Sequence, residues 1–149
     1  MQASHTKPLT EGARRPKRAI IFTRARVLPP GPAQESAQLT SQEDYCRQVA
    51  RQLGVTVASV YQARGGAANA AVRALVEQLL AEVDSGGVDY VITSNLDRLA
   101  RRPVDLARIA HRIQTAGARI ATTADVRANF LQDVSLFCLI AKAQERRSA

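Results

Sequence analysis

Short aliphatic and β-branched runs alternate along this chain with amphipathic helical segments, and that alternation leaves few folds open. Ala19-Ile20-Ile21-Phe22 is apolar without a break, as suits a strand buried on both faces. Val55 to Tyr61, Val88 to Ser94 and Ala118 to Thr122 read as three further strands. Between the second and third strands, Val72, Leu75, Val76, Leu79, Leu80 and Val83 recur at i, i+3, i+4, i+7, i+8 and i+11, one helical stripe stopped by Gly86-Gly87. Pro103 is placed to open another helix, closed by Gly117. Strands alternating with helices of this length predict an α/β fold, a small mainly parallel sheet of about four to five strands joined by right-handed crossovers. At 149 residues the chain suits a single domain.

Other segments carry weaker signals. Met1 to about Arg18 is polar and aperiodic and reads as a disordered basic tail, leaving 19–149 as the domain. Arg24 through Ala37 holds Pro29, Pro30, Gly31 and Pro32 and reads as a loop. Ser41 is the expected cap of a helix to Leu53, with Tyr45, Cys46, Val49, Ala50 and Leu53 as its apolar face. Ala63 to Ala71 reads as a flexible connection around Gly65-Gly66. Phe130 to Arg147 is expected to be a final helix, with Val134, Phe137, Leu139 and Ile140 exposing more apolar surface than one small sheet covers.

Charge narrows the function. Lys and Arg number 21 against 13 acidic residues, a net charge of +8. The first eighteen residues supply only part of it, through Lys7, Arg14, Arg15, Lys17 and Arg18 against Glu11. Such a balance favours a polyanion, most simply nucleic acid. Aromatics are three Tyr, three Phe and no Trp, so phosphate contact is a better expectation than base stacking. No apolar run approaches the roughly 18–20 residues of a membrane span, and no secretion signal is visible, so a cytoplasmic protein without a membrane partner is expected. Cys46 and Cys138 are expected to be reduced. Without a CxxC pair, and with only His5 and His111 as imidazoles, neither a metal nor a cofactor is expected.

In open parallel sheets ligands lie off the carboxyl ends of the strands. Arg24 to Arg26, Arg64 with Arg73, and Arg98 to Arg102 all follow predicted strands and should converge there. Guanidinium is a planar fork of donors that fits phosphate oxygens and stays charged. Neither a GxGxxG nor a Walker lysine motif is present to suggest a nucleotide-binding module.

These residues also carry a resemblance. Leu96-Asp97-Arg98-Leu99-Ala100-Arg101 resembles the LDRLxR signature of serine recombinases of the resolvase/invertase family, and it follows a strand as that signature does. Arg73, ahead of Leu79-Leu80, is similar to the family's RPxLxxLL element with Ala74 in place of proline. Leu39, Gln42 and Cys46 match SLxxQxxxC, and Glu145-Arg146 resembles the ER of the long dimerisation helix. The resemblance implies a resolvase-like catalytic domain that acts on DNA in recombination. Arg24, Arg73, Arg98 and Arg101 would then clamp the scissile phosphate, with Asp97 and Gln42 in support. It also implies a homodimer, or a hetero-oligomer with a full-length recombinase, formed through the C-terminal helix.

Two departures qualify that implication. Active members read YxRVS at the end of the first strand, and the serine forms a covalent link to DNA; here Arg26 occupies the serine's place. A guanidinium offers no nucleophile. Thr23 lies on the opposite strand face, and Ser36 and Ser41 belong to the loop and helix that follow. Family members also continue into a helix-turn-helix domain, whereas this sequence stops at Ala149. The expectation is therefore a phosphate-binding pocket that does not cut, or a partner that modulates an active recombinase. An active enzyme using another hydroxyl and a decayed remnant stay open as alternatives. Two guanidinium charges about 6 Å apart at an effective dielectric near 20 repel by roughly 3 kcal/mol, so such a pocket should hold an anion tightly or splay open without one.

Overall fold

A computed structural model describes residues 15–26 and 31–123. Strand β1 (Arg18–Ala25) is followed by helix α1 (Pro32–Leu53), strand β2 (Thr56–Arg64), helix α2 (Ala70–Asp84), strand β3 (Tyr90–Thr93), a 3₁₀ turn over Leu96–Arg98, helix α3 (Pro103–Thr115) and strand β4 (Arg119–Thr122). The strands form one parallel sheet in the order β2-β1-β3-β4. The expected α/β class with a small parallel sheet is thus the observed one, with four strands among the described residues. The expected final helix over Phe130 to Arg147 lies outside them.

Strand alternation divides the core in two. Ile20, Phe22, Val91 and Ile120 face Val72, Val76, Leu79, Leu80 and Val83 of α2 and Leu106, Ile109, Ala110 and Ile113 of α3. Ala19, Ile21, Ile92 and Ala121 face Cys46, Val49 and Ala50 of α1. The chain leaves β1 in one direction with α1 over one face, then runs the other way through α2 and α3 over the opposite face. That reversal follows from right-handed crossovers, and it puts the topological switch point between the carboxyl ends of β1 and β3.

Helix α1 corrects the sequence reading. Residues expected in a loop open the helix, because Pro32 takes the first helical position, where its missing N–H costs nothing. Gly31, at φ 119°, turns the chain into it, and its carbonyl accepts from Gln34 N (3.1 Å) and Glu35 N (3.2 Å). Ser41 is therefore an exposed mid-helix residue rather than a cap, and Ser36 is helical. Tyr45 is 56% exposed instead of lying on the apolar face. The buried stripe runs Glu35, Leu39, Gln42, Cys46, Val49 and Ala50, and two of its members are polar. Burial pushes the free Cys46 thiol up to about 12, with Glu43 adding to the shift.

Strand β2 also runs past its expected end at Tyr61 to Arg64, and α2 starts at Ala70, where Asn69 Oδ1 accepts from Ala71 N (2.8 Å) and Val72 N (3.4 Å). At the other end of the sheet, Lys17 O accepts from Thr56 N and Arg15 pairs with Asp89, so ordered chain begins ahead of residue 19. Among the described residues no helix is long and apolar enough to cross a membrane.

Leu79 is wholly buried at the centre of the α2 stripe. Leu79→Ala should lower unfolding free energy by about 2–5 kcal/mol, read as a lower denaturant midpoint at unchanged slope.

Candidate functional site

At the switch point, Arg24 near the end of β1 is only 3% exposed, and its side chain reaches across two loops. Nε donates to the Arg98 carbonyl (3.0 Å), Nη1 to the Gly65 carbonyl (3.0 Å) and Nη2 to the Asp97 carbonyl (2.9 Å). One guanidinium thus ties the end of β1 to the turn after β2 and to the 3₁₀ turn after β3. Its planar fork suits the task, because donors fixed in one plane can meet acceptors converging from different loops.

The backbone of Arg24 is held as well. Gly65 N donates to Ala25 O (2.8 Å), so Ala25 faces β2 and Arg24 must turn its own N–H and C=O toward β3. Strand β3 has already ended at Thr93, which lies opposite Phe22. Gln42 from α1 replaces the missing strand neighbour. Its Oε1 accepts from Arg24 N (3.0 Å) and its Nε2 donates to Arg24 O (2.8 Å), a bond supplemented by Arg98 Nη1 at 3.3 Å. The polar positions on the buried stripe of α1 are thereby accounted for: Gln42 completes the sheet, and Glu35 accepts from Arg64 Nη1 (3.2 Å).

The remaining arginines are presented outward. Arg26, Arg73 and Arg101 are exposed, whereas Arg98 is half-buried with its Nε enclosed and unpartnered among the described residues. Arg73 and Arg101 line a cleft of about 730 Å³, together with Arg102 and Arg108 on its rim and Ala67, Leu99 and Ala100 inside. Burial holds the Arg24 guanidinium below its ordinary pKa, and the charges of Arg98 and Arg101 add to that; Asp97 opposes the shift, and Arg26 reinforces it. Arg24 therefore senses the charges of Arg98, Arg101 and Arg26. The exposed Asp97 side chain makes no hydrogen bond or ion pair among the described residues, and its contribution to the site's geometry is through its backbone carbonyl.

Thr23 is fully buried and donates to Tyr61 O (3.4 Å). Ser36 and Ser41 are exposed on α1, and the Thr93 and Ser94 hydroxyls are enclosed without partners among the described residues. Sequence reasoning missed the Glu35–Arg64 pair and the carbonyls of Gly65, Asp97 and Arg98, because backbone acceptors carry no residue signature. A helical stripe continued back to Glu35 was the available clue.

Removing the guanidinium strands three carbonyls, so Arg24→Ala should cost about 3–5 kcal/mol of stability, whereas exposed Arg101→Ala should stay within about 0.5 kcal/mol. Paired urea melts of the two variants measure the difference.

Comparison with known proteins places this geometry. The family model described as resolvase, N-terminal domain, matches residues 25–147. The C-terminal catalytic domain of ISC1926 TnpA, an IS607-like serine recombinase, is similar at 27% identity and TM-score 0.59, over 70% of this chain and 68% of that one. The N-terminal catalytic domain of TP901-1 integrase matches at TM-score 0.67 and 18% identity, over 89% of this chain and 98% of that one. A resolvase-family site-specific recombinase from Streptococcus pneumoniae matches at the same score and identity, over 89% of each chain. No curated protein matches. With a fold shared with serine recombinase catalytic domains and a family match over most of its length, this chain belongs to the resolvase N-terminal domain family, whose work is site-specific DNA recombination.

Proposed function

We propose that this chain binds DNA through phosphate contacts at the switch point without cutting it, and that it serves recombination as a non-catalytic partner or modulator of an active recombinase. The observation that carries this reading is Arg26. It is exposed one residue beyond β1, where the family places its serine, next to an Arg24 already committed to three carbonyls. A phosphodiester entering there would meet Arg98, Arg101, Arg73 and Arg26 and could be held by charge-assisted hydrogen bonds. Arg24 and Gln42 act as positioning residues that hold these loops in register rather than as phosphate contacts.

Chemistry needs more than that clamp. Phosphoryl-type transfer relies on positioning and on charge stabilisation at the equatorial oxygens, which arginines supply, but it also requires an attacking atom. A cation in that place strengthens anion binding and leaves the bond intact. Pairing through residues 124–149, outside the described structure, would let such a subunit occupy one position in an assembly whose other members cut.

A fluorescent duplex titrated at increasing salt tests the binding half of this reading. Each phosphate contact should add about −0.9 to the log–log slope, so four arginines give roughly −3 to −4, and Arg73→Ala or Arg101→Ala should each remove about one unit. Binding insensitive to salt would contradict it.

A further inference from the structure

The amino end of the sheet, opposite the arginine cleft, carries a second row of cations. Lys17 O accepts from Thr56 N (2.9 Å), Arg18 O from Asp89 N (2.8 Å) and Asp89 O from Arg119 N (3.0 Å), so the starts of all four strands are hydrogen-bonded in one line. Val55 N donates to Ala50 O (3.0 Å), which brings the last turn of α1, with Arg51, against the start of β2. Arg15, Lys17, Arg18, Arg51 and Arg119 all lie exposed along this edge. Asp89 is the acidic residue in the line, and it is already occupied by Arg15 (2.8 and 3.3 Å) and by Arg18 N (2.9 Å). Among the described residues, the side chains of Lys17, Arg18 and Arg51 make no ion pair, although the Lys17 charge acts on the Asp89 carboxylate.

Along this line five exposed cations stand against one carboxylate, Asp89, a stronger bias than solubility alone calls for. Four strand starts about 4.8 Å apart span roughly 14 Å, which is the rise of about four nucleotides along a duplex strand. Among the described residues the exposed large apolar side chains are Tyr45 and Val104, on the middle of α1 and the start of α3, so the described part of this edge offers no apolar anchor for a lipid surface. Cations without an apolar anchor suit a sugar–phosphate backbone.

We propose that this amino edge is a second binding surface for the phosphate backbone of duplex DNA, separate from the cleft at the carboxyl end, so that one chain contacts two DNA segments. The inference rests on the reading that the chain works on DNA, but it concerns residues that play no part in the cleft. Strand β1, with eight residues, separates the two ends by roughly 25 Å. A straight duplex lying along one edge does not reach the other.

The test uses the full chain in four forms: wild type, Arg73→Ala/Arg101→Ala, Lys17→Glu/Arg18→Glu/Arg51→Glu, and the combination of both sets. Lys17→Ala/Arg18→Ala/Arg51→Ala serves as a milder control, and melting curves check folding. The cleft variant should keep salt-dependent binding to a fluorescent duplex. The edge variant should flatten the slope by about 2–3 units and weaken binding roughly tenfold or more, and the combination should abolish it. In a sandwich assay the wild type should bring a fluorescent duplex to an immobilised one, and the edge variant should not. No DNA binding by the wild type would contradict both this inference and the proposed function. Binding abolished by the cleft variant alone would overturn this inference only, as would folded edge variants whose affinity and slope match wild type. Edge variants that lose affinity for anionic vesicles but not for DNA would assign the surface to lipid and overturn it too.

Discussion

The guanidinium of Arg24 is the hub on which the functional end of this fold depends. Parallel sheets collect their loops at one end but give no reason for those loops to hold still, since ladder hydrogen bonding stops where each strand stops. Here three carbonyls from two loops converge on one buried cation, and Gln42 carries the ladder one residue beyond β3. A buried charge is tolerable only when its donors are satisfied, so the loops must adopt positions that satisfy it. Burial, with the like charges of Arg98, Arg101 and Arg26 around it, holds the Arg24 guanidinium below its ordinary pKa.

This arrangement divides labour among arginines that look alike in the sequence. Arg24 is structural and buried. Arg98 is intermediate, giving Nη1 to the Arg24 carbonyl while its Nε has no partner among the described residues. Arg26, Arg73 and Arg101 are free to reach outward. An anion site built this way would be preorganised at its base, where Arg24 is held, and adaptable at its rim. Under the proposed function, the cation at Arg26 would complete the clamp and take the place of the attacking alcohol.

Much of this was legible in the sequence. The buried run at Ile20–Phe22, the α2 stripe and the Pro103 start predict the elements and their order, and the order predicts where the loops meet. Residue patterns located the arginines but could not rank them, because whether a guanidinium faces a carbonyl or solvent depends on loop paths that no periodicity encodes. The misread start of α1 has a specific cause. Pro29, Pro30 and Pro32 look like a loop until one sees that the last of them occupies the first helical position, after which Ala33 to Gln38 are ordinary helix formers. Glu35 and Gln42 then fall on the buried stripe, where a polar residue signals a partner across the sheet edge.

The central claim is that a cradle for the phosphodiester persists where the attacking alcohol has been replaced. Supercoiled plasmid incubated with the purified chain, denatured in detergent and analysed before and after protease measures this most directly. The account predicts DNA of unchanged mobility and no protein-linked fraction. A protease-sensitive adduct joined to a serine or threonine of this chain would contradict it.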